Sequence, residues 1–329
     1  MYKLETKLIK NKDVVGYVIS DRSGKKYILK PQDILDISRN IENIYTRQGT
    51  VVVKDKNTVE IKDLSKYVIV NNKISLKSTT SKGDQLKWVK GDKWIKADTH
   101  GYEGLAEYIA CKFIECTNVK SVKYKMTRII DSDNFNEYKG CVSRTMYGDG
   151  EEFIPFAAFM PDTEYTKWKK LSSYDKIIYY IEGLKKKCNC DVTRYITETL
   201  YIDQLICNED RHLNNLGLIR GKDGLYRPAN IFDNGISLLA RDNYWGNSPT
   251  EVALRKVKYM PFGNNQIKAL QQINPNYRVG VNLEKWYSKR EELYGIEEYD
   301  QNTINKCIKI ISRQLRLGSG VLWIETKKI

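Results

Sequence analysis

Apolar and polar positions alternate in KDVVGYVIS and again in KKYILK, with DRSG between them. The two runs predict a β-hairpin turning at Ser23-Gly24. The period then changes. Ile34, Leu35, Ile37, Ile41 and Ile44 follow helical spacing, and Pro31 stands where a helix would start. TVVVKDKNTVEIKD predicts a second hairpin, so residues 1–73 are expected to form a small α+β accessory module. Residues 74–150 predict short strands with turns at Lys82-Gly83 and Gly91-Asp92. A helix over about 104–116 follows, with Leu105, Tyr108, Ile109, Lys112 and Phe113 on one face, and then strands in VKYKMTRII and KGCVSR. Residues 151–329 are richer in helix, as in YDKIIYYIEGLKKK, DVTRYITETLYIDQLIC and NTINKCIKIISRQLRL. Two strands, NLGLIR and YRPANIFD, flank a GKDG turn.

Composition narrows the class. The chain has 329 residues, 41% hydrophobic and 29% charged, enough for two or three packed units of a globular protein. No run approaches the ~18 uninterrupted apolar residues of a membrane helix. The charged N-terminus lacks the apolar stretch of a secretory signal, so a cytoplasmic location is expected; a signal-free export route would leave no trace. Seven cysteines, an odd number, point to reduced thiols. Cys188-x-Cys190 has no second pair at zinc spacing and only two histidines to draw on, so these thiols are read as structural. Net charge is +14, but the lysines are scattered singly, and nucleic acid is not expected as a partner.

The chemistry concentrates in NEDRHLNNLGLIRGKDGLYRPANIFDNG, residues 208–235. A helix should end near Cys207, a polar loop should carry Asp210, His212 and Asn215, and a hairpin should return the chain to Asp233. Phosphoryl transfer needs a carboxylate beside the attacking hydroxyl and oxygen ligands that hold magnesium against the phosphates. Asp210 suits the first need, and Asn215 and Asp233 suit the second. Either half of the pattern alone would match by chance. The order helix, D-x-H-x-x-N loop, hairpin, D-x-G is far more specific.

This segment resembles the catalytic and metal-binding loops of HipA-like kinases and the related phosphatidylinositol-kinase-like proteins, in particular the CtkA-like bacterial secreted kinases. The resemblance implies that Asp210 is catalytic, that His212 orients the loop, and that Asn215 and Asp233 bind magnesium. It implies a two-lobed α+β fold, with a small antiparallel sheet and one helix above a mainly helical lobe and ATP between them. WIKAD resembles the strand carrying the ATP-binding lysine, which would be Lys96. AEYIACKF resembles the next helix, whose carboxylate would be Glu107, with Glu103 as its competitor. The nucleotide loop would fall on Ser78–Gly83, with Ser81 and Gly83 at the phosphates and Ser78 or Ser81 open to autophosphorylation. The adenine hinge would lie at Val142-Ser143-Arg144, giving Ser143 a cofactor-binding place.

Departures from ordinary protein kinases are plain: no G-x-G-x-x-G, Asp-Arg-His in place of His-Arg-Asp, and Asn234 where a Phe would stand. The resemblance covers residues 75–265. It implies an ATP- and magnesium-dependent serine/threonine protein kinase acting on a protein substrate, itself included. Members of this group include toxins with neighbouring antitoxins and effectors delivered to host cells, so an antitoxin or a host protein is an implied partner. Two other readings stay open: a lipid or small-metabolite kinase on the same fold, and a non-catalytic kinase-like module. Arg255, Lys256 and Lys258 are candidates for substrate or phosphate contact, or a solvated helix end.

Overall fold

In the computed structural model, the structure describes residues 3–10, 13–20, 23–29, 46–47, 50–52, 58–60, 62–63, 67–70, 85–131, 136–246 and 248–327. Strands β1 (Lys3–Lys10), β2 (Asp13–Ser20) and β3 (Lys26–Leu29) form an antiparallel meander, with Gly24 at φ +83° in the turn between the last two. Strands β4 (Thr46–Arg47), β5 (Thr50–Val52) and β6 (Thr58–Glu60) make a second small sheet, and β7 (Lys62–Asp63) pairs with β3. The helix expected after Pro31 lies outside the described residues.

The next sheet positions the site. It contains β8 (Tyr67–Val70), β9 (Lys87–Lys90), β10 (Lys93–Ala97), β11 (Tyr124–Asp131) and β12 (Glu137–Arg144) in the order β8-β11-β12-β10-β9. β8, drawn from the stretch expected as an accessory module, runs parallel to β11, and the other neighbours are antiparallel. Gly91, at φ +60°, closes the tight β9–β10 turn, a backbone conformation that costs glycine least. Strand alternation puts Ile95 and Ala97 on one face, fully buried in a cluster with Val70, Trp88 and Ile129. Lys96, between them in sequence, must point to the other face.

Helix α1 (Glu103–Ile114) packs on that other face. It is buried almost all round because it lies between the sheet and the helical lobe; only Tyr108 and Lys112 stay half-buried. Leu105, Ile109 and Phe113 join the large core, and Cys111 packs with Tyr124 and Cys141 beneath the sheet. Each such fully buried apolar side chain contributes roughly 1.5–3 kcal/mol. A Cβ on Gly104 would sit 2.7 Å from Gly140 Cα, so this pair lets α1 approach β12 backbone to backbone.

From β12 the chain enters the larger lobe. β13 (Glu152–Pro155), β14 (Gly217–Arg220) and β15 (Tyr226–Pro228) form its small sheet. Around it lie α2 (Asp162–Lys169), α3 (Ser173–Cys188), α4 (Thr193–Ile206), α5 (Asp242–Trp245), α6 (Thr250–Lys256), α7 (Gln266–Ile273), α8 (Leu283–Leu293) and α9 (Gln301–Gly318). Sequence-local chemistry sets several boundaries: Ser172 caps α3 through the Asp175 N–H at 3.1 Å, and Asp300 caps α9 through the Thr303 N–H at 2.9 Å. All seven cysteines are free thiols. Among the described residues no helix is long and apolar enough to cross a membrane.

β15 is shorter than the alternation in YRPANIFD predicts. Its final bond to β14 runs from the Ala229 N–H to the Gly217 carbonyl at 3.0 Å. The chain instead crosses to residues 120–122: the Ile231 N–H donates to the Lys120 carbonyl at 3.0 Å, and the Val122 N–H donates to the Ile231 carbonyl at 2.8 Å. This crossing, rather than a long hairpin arm, carries the chain to Asp233 beneath the smaller sheet.

The end of β10 is tied to the C-terminal helices. Asp98 accepts hydrogen bonds from the Gly104 N–H at 2.6 Å and the Tyr299 hydroxyl at 2.5 Å. Lys139 Nζ lies 4.8 Å from the Tyr299 ring centroid. Burial pushes the Asp98 carboxyl from 3.8 up to about 6, against the pull of those two donors. Between those values the folded chain holds more protons than the unfolded one, so the Asp98 contribution to stability falls as pH rises from about 4 to about 6. The full shift corresponds to about 3 kcal/mol, and solvent access to the half-buried carboxyl reduces it. We therefore expect Asp98→Asn to lose this dependence: urea titrations across that window should show the native chain losing stability relative to the variant as pH rises. A constant difference would count against the burial account.

Candidate functional site

The loop after α4 is organised by one buried ion pair. Asp203 sits in the last turns of α4, and Arg211 eight residues on; both are fully buried. Arg211 Nε and Nη2 each donate to an Asp203 carboxylate oxygen at 2.9 Å. The remaining donors bind loop groups: Nη1 donates to the carbonyls of Asn215 at 3.3 Å and Phe232 at 2.5 Å, and Nη2 donates to Asn234 Oδ1 at 2.6 Å. One guanidinium thus holds both the 208–215 loop and the 232–234 segment. Burial would lower its pKa, but the Asp203 charge outweighs burial and keeps it fully protonated.

Around this hub the helix ends at Cys207, in left-handed conformation at φ 54°. Asn208 Nδ2 donates to Asp203 at 2.9 Å, and Asn208 Oδ1 accepts the Asp210 N–H at 3.0 Å. Asn215 Nδ2 donates to the Asp210 carbonyl at 3.2 Å, which leaves the amide oxygen as its ligand atom. His212 Nε2 lies 4.0 Å from Asp210 Oδ2. Among the described residues His212 Nδ1 and Asn234 Nδ2 are buried without a hydrogen-bond partner.

Asp233 adopts φ +59°, a conformation Asp tolerates better than most side chains. Its N–H donates to the Tyr124 hydroxyl at 3.3 Å. Its carboxylate accepts from Lys96 Nζ at 2.6 Å, and the same ammonium donates to Glu107. The other Glu107 oxygen accepts the Asn234 N–H at 2.7 Å. β10, α1 and the 232–234 segment therefore meet at one point. Glu103, the competitor, is engaged elsewhere: its carboxylate accepts the N–H groups of Thr99, His100 and Gly101 at 3.3, 2.8 and 3.2 Å.

The electrostatics follow from burial and charge. Burial pushes the Asp233 carboxyl up, but Lys96 and Lys87 outweigh it and hold the group well below the usual carboxylate range. Burial pulls Lys96 down, yet Asp233 and Glu107 keep it well above its ordinary value. Burial raises Asp210; His212 opposes this, and the Asp233 charge adds to it. The two acids thus differ: one is locked as an anion, the other shifted toward taking a proton.

The structure brings Lys96, Glu107 and Asp233 into contact, and it ties Asp210, His212 and Asn215 into one loop held to the Asp233 segment by Arg211. Ser143 lies on β12, two residues beyond Cys141, the partner of Lys96 across the ladder, and so shares the Lys96 face. Ser78, Ser81 and Gly83 lie outside the described residues. Arg255, Lys256 and Lys258 are exposed. Arg211, Asp203 and Tyr124 were not singled out from the sequence. The available signal was Asp203 itself, an acid among Tyr201, Ile202, Leu205 and Ile206, which had to find a cation. Magnesium takes few protein oxygens and completes its octahedron with phosphates and water. The Asp233 carboxylate and the Asn215 amide oxygen fit that donor type, and the unpaired buried nitrogens of His212 and Asn234 fit a polyanionic neighbour. Among the described residues no group of three or more His, Cys, Asp or Glu donors is poised for a metal.

No protein-family profile matches the chain, and no curated protein matches it in sequence. Solved structures do match. The proinflammatory kinase CtkA of Helicobacter pylori aligns over 72% of this chain and 88% of its own, with a TM-score of 0.51 and 14% identity. HipA of Shewanella oneidensis MR-1, solved with HipB and operator DNA, aligns over 96% of this chain and 98% of its own, with a TM-score of 0.40 and 11% identity. The two-lobed α+β fold is thus similar to that of the kinase CtkA.

Breaking the buried pair should be costly. Asp203→Leu leaves Arg211 charged and unpaired, and urea unfolding should show a loss of about 3–5 kcal/mol, whereas the double variant Asp203→Leu/Arg211→Met should lose clearly less. A larger loss in the double variant than in the single would mean that the loop bonds of Arg211, which only the double variant removes, outweigh its pairing with Asp203.

Proposed function

We propose that this chain is an ATP- and magnesium-dependent kinase that phosphorylates Ser or Thr of a protein, itself included. The observation that carries this reading is the junction of Lys96, Glu107 and Asp233, drawn from β10, α1 and the 232–234 segment. An ammonium clamped between two carboxylates is oriented for phosphate oxygens, and a carboxylate held as an anion is a magnesium ligand.

In this reading Lys96 holds the nucleotide phosphates, and Glu107 fixes Lys96 while tethering the Asn234 amide. Asp233 and the Asn215 oxygen hold magnesium, which when bound neutralises charge on the transferring group. Asp210 takes the proton of the acceptor hydroxyl as that oxygen bonds to the γ-phosphorus and the bond to the β-phosphate oxygen breaks. Its pKa, raised by burial, suits a group that must gain a proton and release it. His212, beside Asp210, keeps the loop in place. In the same reading Ser143, which shares the Lys96 face of β12, serves the adenine side.

Incubation with γ-labelled ATP and magnesium should label the protein or added protein on Ser or Thr. Asp233→Ala and Asp210→Asn should each lower the rate at least about a hundredfold with the fold retained. Native chain that neither binds ATP nor transfers label would overturn the proposal, and label recovered in extracted lipid alone would reassign the acceptor.

A further inference from the structure

We propose that Glu209 is a positioning residue, whose bond to the buried Trp245 indole sets the neighbouring Asp210 for transfer to the acceptor. This rests on the kinase reading of the same site.

Asp210 is fixed through its backbone. Its N–H donates to Asn208 Oδ1 at 3.0 Å and its carbonyl accepts from Asn215 Nδ2 at 3.2 Å, both within the loop. Glu209, directly before it, ties that backbone to the chain beyond Asp233. Its N–H donates to the Ile236 carbonyl at 3.0 Å. Its carboxylate accepts the Trp245 indole N–H at 2.8 Å, and the Lys258 N–H is hydrogen-bonded to the same group. Trp245 is 3% exposed, so the carboxylate meets a ring already held by burial. The residues before Glu209 are bound to the same segment. The Leu238 N–H donates to the Ile206 carbonyl at 2.8 Å, and the Tyr259 hydroxyl donates to Cys207 Sγ at 3.7 Å.

The choice of an acid here has a cost. Glu209 is half-buried, and burial pushes its carboxyl up while the Trp245 and Lys258 donors oppose the shift. The Asp210 charge beside it pushes the same way as burial. Those donors offset the cost only where they stand, so the side chain has a defined place, and Asp210 takes its place from it. The nucleotide side is held by a different set of bonds: Lys96 to Glu107 and Asp233, and Glu107 to the Asn234 N–H. Loss of the Glu209 side chain should therefore act on the transfer step and spare nucleotide binding. A purely structural account, in which Glu209 only fastens the short helix α5, predicts a lower unfolding temperature with the transfer rate unchanged.

The test uses the full chain with magnesium, γ-labelled ATP and dephosphorylated casein as the added acceptor, and counts label on casein and on the chain itself. Glu209→Ala and Trp245→Phe should each lower kcat at least about tenfold, with ATP affinity by calorimetry changed less than about twofold. Glu209→Gln keeps an oxygen for the indole and should recover most of the rate. The double variant Glu209→Ala/Trp245→Phe should be no slower than the slower single variant, because both remove one bond. Amide hydrogen exchange over residues 244–258 should quicken in Glu209→Ala and stay native around Lys96 and Glu107. Thermal unfolding identifies the folded variants, and Trp245→Phe decides alone where Glu209→Ala does not fold. Native kcat in a folded variant, ATP affinity falling as far as the rate, or additive losses in the double variant overturns this inference alone. Native chain that neither binds ATP nor transfers label overturns the kinase reading and this inference with it.

Discussion

Two charges taken out of water in the middle of the larger lobe set the geometry on which everything else depends. Desolvating Arg211 and Asp203 is expensive, and their mutual attraction barely offsets it. What the pair provides is definition. A planar guanidinium with fixed donor directions has one way to satisfy two carboxylate oxygens, two carbonyls and an amide oxygen together. The 208–215 loop and the 232–234 segment are joined through that single group, although residues 216–231 and the β14–β15 hairpin separate them in the chain. The residue that would do no chemistry is thus the one that determines where the reactive groups stand.

A second convergence joins the lobes. Glu107 lies fully buried on a helix wedged between the smaller sheet and the helical core, and it receives both the Lys96 ammonium and the Asn234 N–H. A shift of α1 therefore acts on strand and loop at once. At the N-terminal end of the same helix, about one turn earlier, Glu103 and Asp98 consume the N–H groups of the preceding turn and of Gly104. The Tyr299 hydroxyl connects that corner to the C-terminal helices. The small lobe is thus attached at the strand end where the chain leaves it, along α1, and at the Asp98 corner. Three attachments restrict rotation of the sheet over the site more than a single hinge would.

Much of the frame was legible along the chain. The turn at Gly91, the helix carrying Glu107, and helices α3 and α4 follow from turn residues and apolar spacing, because those signals are local. The strand toward Asp233 was overextended, since alternation continues through YRPANIFD while the chain leaves β14 after Ala229 and crosses to residues 120–122. Nothing in periodicity told Glu103 from Glu107; that was settled by which carboxylate lay under Lys96 and which faced free amides.

The amino-acid sequence by itself determined the kinds of groups available and their order: an acid, an amide and an acid in one stretch, with a lysine and a glutamate upstream. It also determined the local elements that carry them, because hydrogen bonds within a helix or a tight turn depend on near neighbours. Tertiary structure alone decided which buried polar and charged groups pair with one another. Asp203 with Arg211, Lys96 with Glu107 and Asp233, and Asp98 with Tyr299 are choices made by distance and burial, and in a low-dielectric interior every charge must have its partner in three dimensions, whatever its place in the chain.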